Sequence, residues 1–288
     1  MTIFKADPNL LPESLKFCGH TNKWIPLAFN LSRCSACGSV ADKKAYLDFQ
    51  KKILYDASYP EKRSHFDPYV GECKVDTLKS WLQKLDLDVK GMRVCEVGFG
   101  AGYTLKALMK LGGHVTGIEV VKENLEFAAS LGIPKENLVN FNDLDRVNPN
   151  QFDLWIFQDS FEHLLNPKDF LFWLSKNSKP SCKILIVAPQ ADSISFKILG
   201  PLWPHLIEDH VFHWSKQGIV KFFSSFGFFE SASFNPKKVV SLSTLMNHLG
   251  HFSKFSPTLM TRIQKFLPQY SVKFNIGEMG ILFSRKKS

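Results

Sequence analysis

The segment Glu96-Val97-Gly98-Phe99-Gly100-Ala101-Gly102 carries the densest chemical signal in this 288-residue chain. Three glycines at alternate positions let a backbone turn tightly and lie flat against a ligand, because any side chain there would stand between the two. A dinucleotide loop places its third glycine three residues after the second; here that place is Tyr103, and the glycine comes one residue earlier. Glu96, two positions before the first glycine, would repel a pyrophosphate but suits an ammonium group with a sulfonium nearby. Further on stands Glu119, whose carboxylate can accept hydrogen bonds from both hydroxyls of a ribose. The ligand so described has a ribose, a positive charge and no phosphate.

Two histidine clusters suit proton transfer near neutral pH, where imidazole titrates. One ends Asp159-Ser160-Phe161-Glu162-His163; the other is Glu208-Asp209-His210-Val211-Phe212-His213-Trp214. His163 and His210 are candidate acid/base or acceptor-positioning residues, with Asp209 orienting one of them. The alternative is that His163 caps the following helix and His213 packs. A third constellation, Cys18-Gly19-His20 and then Cys34-Ser35-Ala36-Cys37, offers four soft or borderline ligands across a gap suited to tetrahedral zinc. Cys18, His20, Cys34 and Cys37 are the candidate ligands; a module without metal and a redox pair are the alternatives. Cys73, Cys95 and Cys182 read as isolated buried thiols.

Holding these groups in place takes strands that alternate with helices. Apolar runs of strand length occur at 93–97, 114–119, 138–141, 152–157 and 183–188, with helical stretches at 104–111 and 124–131 between the earlier ones. Residues 228–234 and 279–284 are expected to close the sheet as an antiparallel edge pair. Alternation of this kind marks a parallel sheet wrapped by helices, an α/β fold. Three zones follow from the punctuation: a small Cys/His module over 1–54, a polar linker over 55–69, and an α/β domain over 70–288. Residues 235–274 form an insertion with helical spacing, Leu259, Ile263, Phe266 and Leu267 on one face and Arg262 and Lys265 on the other, read as a helical cap.

Composition bounds the rest. At 44% hydrophobic and 22% charged the chain has matter for a large core, and its apolar runs fall far short of the roughly 20 residues that span a bilayer. The start of the chain lacks a basic stretch leading into an apolar one, so a cytoplasmic protein is expected. Of the net charge of +9, most lies beyond Asn235, where nine Lys/Arg face the lone acid Glu278. Such a surface suits an anionic partner, such as a phospholipid head group, a nucleotide-linked substrate or RNA, or serves solubility alone.

Val94-Cys-Glu-Val-Gly-Phe-Gly-Ala-Gly-Tyr103 resembles the first motif of the class I S-adenosylmethionine-dependent methyltransferases, and Val115-Thr-Gly-Ile-Glu119 resembles their ribose-binding second strand. Asn142-Asp143-Leu144 matches the position that contacts adenine. Phe152 to Leu164, which includes Asp159, is similar to the fourth-strand motif ending in Glu-His-Leu. The resemblance, which runs from about residue 70 to 287, implies a seven-stranded Rossmann-like sheet in the order 3-2-1-4-5-7-6 with strand 7 antiparallel. It implies S-adenosylmethionine as cofactor, with Glu96, Gly98, Gly100, Gly102, Glu119, Asp143 and Asp159 around it. Asp209-His210 further resembles the Glu-His element of a subgroup acting on sugar or quinone-precursor hydroxyls. Members of that subgroup often carry an N-terminal zinc module with two Cys-x-x-Cys pairs; position 21 here is Thr, so His20 must serve instead.

These observations favour methylation of oxygen or carbon on a small-molecule, sugar or lipid-linked acceptor, with peripheral contact to an anionic membrane through the basic cap. An RNA methyltransferase is disfavoured, since the basic tail lacks interleaved aromatics. A non-catalytic cofactor-binding scaffold stays open. Phe99, Tyr103, Trp155, Phe161, Trp203 and Trp214 could wall a sulfonium, but most are expected in the core.

Overall fold

The computed structural model describes residues 18, 24–27, 31–42, 44–45, 68–207, 210–241 and 271–285. In chain order its first strands are β1 (Trp24–Pro26), β2 (Leu31–Cys34) and β3 (Val40–Asp42), followed by helix α1 (Pro68–Lys84). Next come β4 (Arg93–Val97), α2 (Tyr103–Lys110), β5 (His114–Glu119), α3 (Lys122–Ser130), β6 (Leu138–Asn140), β7 (Leu154–Gln158), α4 (Pro167–Asn177) and β8 (Lys183–Pro189). The last part holds α5 (Ile194–Leu199), β9 (Phe212–His213), α6 (Lys216–Ser224), β10 (Phe228–Phe234), β11 (Lys238–Ser241), β12 (Ser271–Phe274) and β13 (Glu278–Arg285).

Seven strands form the main sheet in the order β10-β13-β8-β7-β4-β5-β6. Neighbours from β6 to β8 run parallel, and β13 runs antiparallel to both β8 and β10. Counted from β4, this is the 3-2-1-4-5-7-6 arrangement with an antiparallel seventh strand. The central strands read as unbroken apolar runs because helices cover both faces. Alternate residues then serve opposite layers. Val94, Leu154, Ile156, Leu185 and Val187 pack with Leu78 and Trp81 of α1 and Leu105 and Leu108 of α2. Cys95, Trp155, Phe157, Ile184 and Ile186 pack with Phe170 and Leu174 of α4 and Phe222 and Phe223 of α6. Each such side chain, fully buried, contributes about 1.5–3 kcal/mol of transfer free energy. Glu96, two residues after Val94, therefore projects toward the α1 side of the sheet.

A second sheet, β1-β2-β3-β9, joins the cysteine region to the α/β unit, since Val40 pairs with His213 and Ala41 with Phe212. Helix α1, which the apolar runs do not announce, is tied to the strand after Pro236: Trp81 Nε1 donates to the Lys237 carbonyl at 2.9 Å, and Val239 N donates to Thr77 Oγ1 at 2.9 Å. The region between β10 and β13 is extended at both described ends, β11 pairing with β12 in antiparallel register. Leu259, Arg262, Ile263, Lys265, Phe266 and Leu267, on which the expectation of a helical cap rests, lie outside the described residues. Among the described residues no helix is long and apolar enough to cross a membrane.

Candidate active site

The glycine loop leaves β4 and enters α2 through left-handed backbone at Gly98, Gly100 and Gly102, with φ of 69°, 57° and 81°. At Gly98 a side chain is excluded twice over: the conformation disfavours it, and a Cβ would sit 2.6 Å from Ser160 Cβ. Ser160 is fixed in turn by donating its hydroxyl to the Val97 carbonyl at 2.6 Å. Glu119 ends β5 and locks the loop, because its Oε2 accepts from Gly100 N at 2.8 Å. Its Oε1 accepts from Val120 N at 2.8 Å and Val121 N at 3.1 Å. Three backbone donors leave the carboxylate part of its acceptor capacity. Burial raises the Glu119 carboxyl above its usual range, against those backbone bonds.

Glu96 is buried, and its Oε2 has no hydrogen-bond partner among the described residues. Burial pushes its carboxyl up to about 8, opposed by the Lys74 charge and Thr104. Beyond β7, Asp159 adopts φ 52°, a strained conformation for a non-glycine residue. Lys238, at the start of β11, donates to both Asp159 oxygens at 2.9 and 2.7 Å and reaches Glu278 Oε1 at 2.8 Å. Burial alone would raise the Asp159 carboxyl; the Lys238 ammonium, aided by Lys74, reverses this and holds it below its usual value. Burial works the other way on Lys238, and Asp159 and Glu278 overcome it, so that this ammonium stays charged. Lys74, on α1, is lowered by burial.

A histidine cluster adjoins this charged group. His163 lies in the short turn after Ser160, its ring centroid 4.7 Å from that of His210. His210 Nε2 stands 3.8 Å from Glu162 Oε1, and both side chains are buried. His210 Nδ1 has no hydrogen-bond partner among the described residues. Burial, followed by the neighbouring imidazoles of His163, His213 and His205, drives His210 well below the usual range. His213 is pushed down to about 3 by burial and by the imidazoles of His205 and His163. His205 is lowered by burial against the pull of Glu278, 3.6 Å away. Burial thus favours the neutral form of all three imidazoles. The ligand atoms of Glu162, His163 and His210 lie within 4.8 Å of one another, as do those of Cys18, Cys34 and Cys37, so each set has the reach to hold a cation.

A family model described as a methyltransferase domain matches residues 73–229, more than half of the chain. The chain belongs to this methyltransferase family. Its sheet is that of the class I members, and solved structures agree on the fold. The magnesium protoporphyrin IX methyltransferase of Synechocystis, solved with bound SAH, aligns over 81% of this chain and 96% of its own at 14% identity and a TM-score of 0.51. The YcgJ protein of Bacillus subtilis aligns over 74% of this chain and 99% of its own at 15% identity and a TM-score of 0.50. Among curated relatives, the mitochondrial ubiquinone biosynthesis O-methyltransferase of Dictyostelium discoideum is 30% identical over 149 residues, 43% of this chain and 46% of that protein. The ubiquinone biosynthesis O-methyltransferase of Rickettsia conorii is 28% identical over 114 residues, 38% of this chain and 39% of that protein. The chain thus spans half or less of the length of these relatives.

Set against the methyltransferase motifs, Glu96, Gly98, Gly100, Gly102 and Glu119 come together at the carboxyl ends of β4 and β5, with Asp159 at the end of β7. Asp143 is exposed in a short turn and faces Arg146 at 4.0 Å. His163 and His210 meet, whereas Asp209 and His20 lie outside the described residues. Cys18, Cys34 and Cys37 meet in a buried cluster. Phe99, Tyr103, Trp155, Phe161, Trp203 and Trp214 are all buried, as core residues are. Lys74, Lys238, Glu278 and His205 join the site without any motif to mark them; Glu162 had one signal, its place beside His163 after the fourth strand.

Proposed function

We propose that this methyltransferase moves a methyl group from S-adenosylmethionine to a hydroxyl of a small-molecule acceptor. The residues fit the donor: Glu96 Oε2 is a buried oxygen without a hydrogen-bond partner among the described residues, the glycine loop passes through three left-handed positions that carry no side chain, and Glu119 keeps acceptor capacity for ribose hydroxyls. When bound, S-adenosylmethionine supplies a methyl group activated by positively charged sulfur. Glu96 would hold the ammonium end and Glu119 the sugar, with Asp143 near the adenine. Asp159, fixed by Lys238, would border the reacting end.

The observation that carries the reading is the buried His210–Glu162 pair just past Ser160, on the edge of the sheet where ligands of this fold bind. In this reading His210 Nδ1, which has no partner among the described residues, would take the proton of the hydroxyl, and Glu162, 3.8 Å from Nε2, would stabilise the imidazolium. His163 orients the acceptor beside it, and Asp209 supports His210. The similarity to ubiquinone biosynthesis O-methyltransferases supports a phenolic or quinone-precursor hydroxyl; sugar, lipid-linked and carbon acceptors fit less directly. Cys18, Cys34 and Cys37 suit zinc by thiolate chemistry, with His20 completing four ligands, and this centre would be structural. A cytoplasmic setting, with the basic segment beyond Asn235 resting on anionic lipid, completes the proposal.

Methyl-labelled donor offered with panels of phenols, catechols, sugars and total RNA tests it. Label should pass to a hydroxylated small molecule and fall at least about 100-fold in His210→Ala. Transfer to RNA alone, or full turnover in both His210→Ala and His163→Ala, would refute the assignment.

A further inference from the structure

The strand carrying the histidines is strapped between two parts of the molecule that are remote in sequence. On one side Ala191 N donates to the Trp214 carbonyl at 2.9 Å, fastening residue 214 to the end of β8. On the other side the strap pairs with β3, and Asp42 N donates to the Val211 carbonyl at 3.0 Å. Strand β3 begins directly after the cysteine turn. That turn is closed by Cys34 N donating to the Ser39 carbonyl at 2.8 Å and by Gly38 N donating to the Cys34 carbonyl at 2.9 Å.

A chain of buried side chains runs from the cysteines to the strap. The Cys37 thiol contacts Ser39 Oγ at 3.2 Å, Ser215 N donates to Ser39 Oγ at 3.0 Å, and the two serine hydroxyls are 3.1 Å apart. Ser215 Oγ then accepts from Gly218 N at 2.9 Å, capping α6. The packing leaves no slack: a Cβ on Gly218 would lie 2.2 Å from Ser39 Oγ and 3.1 Å from Cys37 Sγ. Both serines are buried, so moving one moves the other.

We propose that Ser39 and Ser215 are positioning residues that couple the cysteine centre to the histidine strap, so that a metal held by Cys18, Cys34 and Cys37 fixes where His210 and His213 stand. The proposal rests on the reading of those cysteines as a zinc centre. A cation held by Cys18, Cys34 and Cys37 would draw Cys34 and Cys37 together and tighten the turn from which β3 starts. Through the paired backbone and the two hydroxyls, the same order reaches residues 211–215. The arrangement gives the cysteine region a task beyond stapling the N-terminal part of the chain.

Hydrogen exchange on the full chain, with and without added zinc and with zinc content measured in parallel, tests this. Zinc should slow exchange at the amides of 211–215 on the order of ten-fold in the wild type, leaving β4 and β7 unchanged. In Ser39→Ala, zinc should still bind while the slowing at 211–215 disappears, and Ser215→Ala should act alike. Zinc binding with unchanged exchange at 211–215, or equal slowing in Ser39→Ala, overturns the coupling and leaves the metal reading standing. A chain that takes up no zinc overturns the metal reading and the coupling to it together, while methyl-donor binding remains a separate measurement.

Discussion

Glu96→Gln should abolish a proton release that accompanies donor binding. Burial pushes the Glu96 carboxyl from 4.5 to about 8, so the free protein carries it mostly protonated near neutrality. At pH 7 a group with that value is about 90% protonated, and at pH 9 about 10%. An ammonium group set beside Oε2 favours the carboxylate. Binding at pH 7 should therefore release about 0.9 proton more from the wild type than from Glu96→Gln, shrinking to about 0.1 at pH 9. Calorimetry in two buffers of different ionisation enthalpy counts the protons, and the variant cancels any contribution from the donor's own amine. The same residue shapes stability. Its folded value lies above the unfolded one, so its contribution is complete below about 4.5 and is lost as pH rises through about 8. Glu96→Gln should flatten that part of the profile. Equal proton release by the two proteins at pH 7 would refute the reasoning.

Other perturbations probe the remaining parts. Glu119→Ala should weaken S-adenosylmethionine binding by roughly 1–3 kcal/mol in the same calorimeter, the scale of charge-assisted hydrogen bonds; unchanged affinity would remove Glu119 from the sugar site. Gly98→Ala, which forces a Cβ to 2.6 Å from Ser160 Cβ, should lower the melting temperature and abolish donor binding together. Lys238→Met strands the Asp159 and Glu278 carboxylates and should destabilise by roughly 2–4 kcal/mol in urea, discounted from a fully enclosed pair because Lys238 keeps 22% of its side chain exposed. The depressed Asp159 carboxyl adds stability above its ordinary range, which is lost as pH falls through its folded value. This acid-limb loss should vanish in Lys238→Met.

Features set by neighbouring residues were legible in the chain. Strands at 93–97 and 114–119, the loop between them and Glu119 follow from apolar runs and glycine spacing, where each residue reports its own conformation. The antiparallel edge pair β10–β13 was also legible, because both runs show strand character in full. Lys238 and Glu278 stand 40 positions apart, at the starts of β11 and β13, and meet only in the fold; nothing in their local sequence records it. Pairing of β3 with β9 spans some 170 residues, and the two-residue β9 is too short for any periodicity. Helix α1 escaped because its apolar positions, such as Leu78 and Trp81, are separated by lysines and acids that read as a polar stretch. Glu162 is marked in the sequence only by its place beside His163; its burial against His210 shows only in the fold.

A crystal structure of the complex with S-adenosylhomocysteine tests the central claim most directly. The account places the ribose hydroxyls within hydrogen-bonding distance of Glu119, the amine against Glu96, and the sulfur facing the His210 edge. A nucleoside found elsewhere on the chain, or seated with its sugar turned away from β5, would contradict it.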